Sequence, residues 1–222
     1  MRCRLVVLAG MLAIVVAVTA LIEGAAQGTS NAKMPVKWAD PDPPPALRIK
    51  PVANWTDEYE KALGPVTPGP NGYLATVGAN HLELWKAYSA FQRQMLQKHI
   101  LSVRHKELLV LRTAYLMNGD FIWNAHTKSA PARGIPTSEI PRIIEGPDAK
   151  GWTAHEAALL RAADELHRSQ FIKEATWQTL AQTYNDAEML EVVFMVGVYH
   201  TLAMYQKSVG IPLPEGATTV PR

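Results

Sequence analysis

Residues 107–135 read ELLVLRTAYLMNGDFIWNAHTKSAPARGI, and the periodicity of this stretch decides the fold. Its first half places Leu108, Leu111, Tyr115 and Leu116 close to a helical period. Asn118-Gly119 is a turn or break signal. In the second half Trp123 and His126 stand three apart, which puts them on one face of a helix. Pro131 removes a helical hydrogen bond, so the second segment is expected to kink or end near it. Gly134 follows the last periodic residues, where helices stop. The stretch is therefore predicted to be two helices joined at Asn118-Gly119.

Outward from this pair the helical period continues. Leu82, Trp85, Tyr88 (or Ala87) and Met95 fit one apolar face that starts near His81. Thr137 or Ser138 is expected to cap a short helix through Ile144. Gly146 to Gly151 is a loop. Thr153 and Glu156 form a capping box, in which each side chain satisfies the other residue's backbone N–H. The helix behind it turns Ala157, Leu160, Ala163 and Leu166 inward. A further helix is predicted over Glu174 to Tyr184. The last, Asp186 to Val209, is apolar all round, as helices buried in a core or a subunit interface are. Gly210 and Pro212 end it. No stretch alternates like a strand, so the fold class is all-α.

Composition fits an ordinary globular protein, with 48% hydrophobic residues, 19% charged residues and a formal net charge of +2. No basic run appears, and nothing points to a nucleic-acid partner. Residues 1–26 read as a signal peptide or a membrane anchor. Arg2 and Arg4 precede an uncharged run from Leu5 to Ile22, and Gly24-Ala25-Ala26 supplies small residues for cleavage. The rest of the chain is then exported, periplasmic or secreted. Residues 27–72 are rich in proline and read as an extended arm, with Trp38 and Trp55 as packing anchors. Residues 73–216 form the helical domain and 217–222 a tail. The only cysteine is Cys3. The exported part therefore has no thiolate for peroxide reduction or disulfide exchange.

The central stretch, together with GPDAKGW, ALLRAADELH, ATWQTL and VGVYH, resembles the carboxymuconolactone decarboxylase and alkylhydroperoxidase-D-like family. The resemblance runs from about Leu74 to Gly216. It implies a helical bundle of about six to eight helices and an oligomer, a trimer or a hexamer built from trimers. The family's peroxidases carry C-x-x-C-x-x-x-H here. Aligned on His126, those cysteines fall on Gly119 and Ile122. The Glu that decarboxylase-like members carry at the second position is also replaced, by Ile122. Glu107 matches the family's proton-relay glutamate, and its proximity to His126 is what the resemblance implies.

Each candidate residue has two readings. His126 is either a general acid/base, since imidazole titrates nearest neutral pH, or a satisfied core histidine beside Trp123. Glu107 either orients His126 or stabilises a helix start from the surface. Arg112 either binds an acidic substrate through its planar fork or pairs with Glu107 or Asp120. Asp120 is either an N-cap or a stand-in for the missing Glu. Trp123, Tyr199 and His200 either line the pocket or pack. The histidine spacing offers no metal motif and no cofactor motif is present, so neither group is expected. The chemistry this implies is cofactor-free acid–base work on a small organic acid. The alternatives are a peroxidase-like antioxidant, which lacks its thiols here, and a non-catalytic binding protein that kept the fold.

Overall fold

The computed structural model describes residues 46–66 and 70–221. The signal segment, Trp38 and the first prolines of the arm lie outside them. The described residues form α1 (Asp57–Leu63), α2 (Pro70–Gly78), α3 (Leu82–Gln97), α4 (Val103–Leu116), α5 (Asp120–Ser129), α6 (Ile140–Glu145), α7 (Ala154–Ser169), α8 (Glu174–Ala181) and α9 (Asp186–Val209). Short 3-10 turns join some of them, and no strand occurs among the described residues. The all-α reading holds.

Helix α4 is the axis of the bundle. It packs against α5, α7 and α9 at once. Its residues from Lys106 to Ala114 are all buried, including Glu107 and Arg112. Ser102 starts it, accepting the backbone N–H of His105 at 3.1 Å. It ends at the predicted break, where Asn118 takes the left-handed conformation at φ 50°. Asparagine visits that region at small cost. Gly119 itself has φ −82°, so the turn draws on Asn118 and not on the glycine. Helix α5 stops at Ser129, and Pro131 opens a 3-10 turn that Gly134 closes at φ 79°.

The capping box of α7 is present, with Glu156 N–H donating to Thr153 Oγ1 at 3.1 Å and Thr153 N–H to Glu156 Oε2 at 2.9 Å. Helix α9 has the predicted bounds and gains a second capping box at Asn185 and Glu188. By length and apolarity α9 could cross a membrane, but half of its most apolar window is buried in its own domain.

Two expectations need correction, on the arm and on the cap of α6. The arm is not extended throughout: α1 interrupts it, because the segment after Thr56 holds no proline and places Asp57, Glu58 and Glu60 in a first turn. Trp55 packs within the arm, stacked on Tyr59 at 5.3 Å and donating to the Gly64 carbonyl. Neither Thr137 nor Ser138 caps α6; a 3-10 turn from Thr137 to Glu139 leads into it, and Pro141 fills its first turn. The tail is tied to the bundle, with Val220 buried and its N–H donating to Asp120 Oδ1 at 2.8 Å.

Candidate active site

Glu107 on α4 and His126 on α5 meet in the interior. His126 Nδ1 lies 2.8 Å from Glu107 Oε1, and the carboxylate is fully buried. Burial pushes this carboxyl upward. The His126 hydrogen bond and charge and the Arg133 guanidinium outweigh burial and hold it below its ordinary range. An ionised carboxylate only accepts, so Nδ1 carries the hydrogen, and whenever the imidazole is uncharged its lone pair is at Nε2. Tyr199 on α9 supplies the partner there, its hydroxyl donating to Nε2 at 3.2 Å. Burial raises the Tyr199 phenol above its ordinary pKa of 10, which keeps it protonated at neutral pH. The three groups form an unbroken line from carboxylate to imidazole to phenol.

Arg133 completes the cluster. It sits in the 3-10 turn after α5 and donates through Nη1 to Glu107 Oε2 at 2.8 Å. The same Nη1 stands 2.9 Å from His126 Nδ1, an approach of two donors that share one carboxylate. A third of its side chain is exposed, against none for Glu107. Sequence reasoning missed Arg133, which lies beyond Pro131 in what reads as the frayed end of a helix. The one signal available was a cation seven residues after His126 and next to a helix-ending glycine.

Arg112 does not join this cluster. Its Nε and Nη2 donate to the two oxygens of Asp164 at 2.6 and 2.9 Å, and its Nη1 to the carbonyls of Ile143 and Ile144 at 2.8 Å each. The partner is Asp164, neither Glu107 nor Asp120. Gly146 makes room for it, since a Cβ there would come within 2.7 Å of Nη2. A guanidinium so fully bonded and buried braces α4 against α6 and α7, and the substrate-binding reading of Arg112 is withdrawn.

The remaining candidates spread out. Asp120 is the first residue of α5, whose N-cap is Gly119. Its carboxylate holds the tail, so the cap reading is corrected too. Trp123 is core, with its ring 6.3 Å from Tyr115. Ile122 is buried at the position of the missing Glu, and Phe121 packs toward Val77 and Val209. His200 leaves the site for His167 on α7, whose Nδ1 is 3.0 Å from its Nε2. Burial, and then the neighbouring His200, pushes His167 down to about 4. Among the described residues no group of three or more His, Cys, Asp or Glu side chains is placed to hold a metal ion.

The profile of the Carboxymuconolactone decarboxylase family matches residues 83–165, the segment that holds both Glu107 and His126. Over this segment the chain is similar to that family. Solved structures share its fold. A peroxidase-related protein from Silicibacter is 16% identical, with a TM-score of 0.61 over 81% of this chain and 96% of that one. A peroxidase-related protein from Ralstonia eutropha, described as an alkylhydroperoxidase AhpD core, is 14% identical, with a TM-score of 0.56 over 71% of this chain and 82% of that one. A debrominase bound to 2,3,4-tribromopyrrole is 12% identical, with a TM-score of 0.60 over 78% of this chain and 95% of that one. No curated protein matches in sequence.

Proposed function

We propose that this carboxymuconolactone decarboxylase-like protein is a cofactor-free acid–base enzyme of the exported compartment. It moves a proton on or off carbon in a small organic anion by decarboxylation, isomerisation or lactone opening. Fold alone does not select among chemistries, and the structural neighbours span peroxidase-related proteins and a debrominase. The residues carry the choice. The observation that supports acid–base work is the buried Glu107–His126–Tyr199 line, with the carboxylate held ionised and the phenol held protonated.

In this reading His126 is the proton carrier. Glu107 fixes its tautomer and stabilises the imidazolium that forms. Tyr199 delivers the proton to the reacting carbon or receives it. Arg133 takes the anion-binding role, since its Nη2 and Nε bond no described group while Nη1 secures the carboxylate. A thiol route is closed in residues 4–222, which contain no cysteine. The test is a screen of unsaturated acids and lactones with the mature protein, His126→Ala and Arg133→Ala. Turnover should fall by about 10²-fold or more in the first variant and KM should rise in the second. Equal turnover in all three proteins sinks the reading.

The working form is a homo-oligomer whose interface includes α9. Leu190, Phe194 and Met204 are 58%, 51% and 54% exposed, and with Gly197 and Thr201 between them they follow a four-three spacing along one face. That face carries no charge from Leu190 to Met204, and such apolar stripes mark association surfaces. Light scattering at micromolar concentration should give a multimer that Phe194→Glu dissociates. A monomer mass for the unaltered protein refutes the assembly.

A further inference from the structure

A cavity of about 330 Å³ lies between Ile49 of the arm, the C-terminal end of α2 and the turn after it, helix α3 and the C-terminal half of α9. We infer that it binds an uncharged aromatic or alicyclic small molecule, at a place separate from the Glu107–His126 site. None of Glu107, His126, Arg133 or Tyr199 lines it. Its volume is within the range of small-molecule pockets.

The walls are built from aromatic rings. Trp85 lies 5.4 Å from Tyr88 and 5.0 Å from Tyr205, centroid to centroid, and all three face the cavity. Gly78 makes this possible. A Cβ at that position would come within 2.2 Å of the Trp85 ring, so the indole lies against bare backbone of α2. Gly78 itself has ordinary helical angles, with φ −61°, so the demand is for space and not for an unusual backbone. The lip is held as well, because the Asn80 amide donates to the Lys50 carbonyl at 3.0 Å and so fixes Ile49 at the rim.

The polar atoms of the wall decide the chemical class. Tyr88 donates its hydroxyl hydrogen to the Val198 carbonyl at 3.2 Å, and Tyr205 to Leu74 at 3.0 Å. Thr201 donates to the Gly197 carbonyl at 3.1 Å, and the Asn80 amide is shared between Lys50 and Val77. His81 Nδ1 accepts the Leu84 N–H that starts α3. No Lys, Arg, Asp or Glu lines the cavity. Burial raises both phenols, so neither supplies an anion at neutral pH. A charged ligand would leave its solvation shell here with only the His81 imidazole as a polar partner, which is costly. A neutral ring system gives up little water and gains stacking contacts on three aromatic side chains. The organic anion proposed for the His126 site is therefore the class this cavity rejects.

The test uses the uncharged fluorescent probe N-phenyl-1-naphthylamine, titrated into the full mature protein. Saturable binding at one probe per chain is expected, with quenching of tryptophan emission. Naphthalene should displace the probe and 1-naphthoate should not. Leu84→Asp and Ile49→Asp each place a charge at the mouth. Both positions are exposed, so circular dichroism should be unchanged while probe affinity falls about tenfold or more. Phe171→Ser, exposed but outside the lining, should leave affinity as it was. Absent saturation, equal displacement by naphthalene and naphthoate, or loss of binding in Phe171→Ser alone would each overturn the inference. The displacement pair decides the question on the unaltered protein even if a variant fails to fold.

Discussion

Helix α4 carries two buried ionic arrangements, and they differ in one respect that matters. Around Arg112 all three guanidinium nitrogens are engaged: Nε and Nη2 with the Asp164 carboxylate and Nη1 with two carbonyls of α6. Around Glu107 the carboxylate is equally buried, yet it holds a titratable imidazole and a guanidinium with donors to spare. The first is closed, and a closed pair can only hold helices together. The second is open, and an open one can exchange protons and accept a ligand. The sequence shows an arginine and a glutamate on one helix. Only the partners reveal which of the two has chemistry left.

The comparison breaks most visibly at Asp164. Asp164→Ala strands the Arg112 charge in the interior, and stability should fall by about 3–5 kcal/mol in urea unfolding, with little change in Glu107 or His126 contacts. Joint replacement of Arg112 by Met and Asp164 by Leu should recover most of that loss. A small effect of the single change would mean that solvent reaches the pair. On the open side, His126→Ala should lower kcat by about 10²-fold or more while the unfolding midpoint moves far less. If the two parameters fall together, the second cluster is structural like the first.

The acid limb of the stability curve sharpens the contrast further. Glu107 is held below its ordinary 4.5, so its contribution is complete above that pH and is lost as pH falls through the depressed value. Glu107→Gln should remove that segment of the pH dependence. His167 acts in an earlier window. It is neutral in the fold and pushed from 6.5 to about 4, so stability should decline as pH falls from 6.5 toward 4, where the unfolded chain takes up the proton first. His167→Gln should reduce the slope of that interval, which His105, His155 and His200 share because burial holds them low as well, without touching the later one. The smallest effect belongs to Tyr199→Phe, which deletes one hydroxyl at 3.2 Å from Nε2 and should cost about 1 kcal/mol in stability. Under the proposed function it costs much more in turnover, and that mismatch is the observation to seek.

Legibility in the sequence followed the range of the interaction. Helix α9 and the α7 cap were readable because period and capping are local, within a few residues. The break between α4 and α5 was readable too, although the left-handed residue is Asn118 and not the glycine. The Glu107–His126 pair spans 19 residues and two helices. Periodicity cannot place it, and the family resemblance did. Arg112 with Asp164 spans 52 residues and Tyr199 with His126 spans 73, and no local rule links either. Arg133 was lost because a helix end marked by proline says where the helix stops, not where the following side chain reaches. The arm was misread because proline counts averaged over a segment whose middle, Val52 to Gly64, contains none.

Asn118-Gly119 has a consequence for the ageing of the molecule. In a loose chain an Asn-Gly step loses ammonia, because the glycine amide nitrogen attacks the asparagine side chain and leaves a rearranged, isomerised backbone. Here that nitrogen is held by its hydrogen bond to the Ala114 carbonyl at 2.8 Å, and Asn118 is 4% exposed. The attack needs the end of α4 to open first. Chemical damage at this step therefore records how often α4 and α5 part, and its accumulation over storage is a slow clock for the opening of the joint that positions His126.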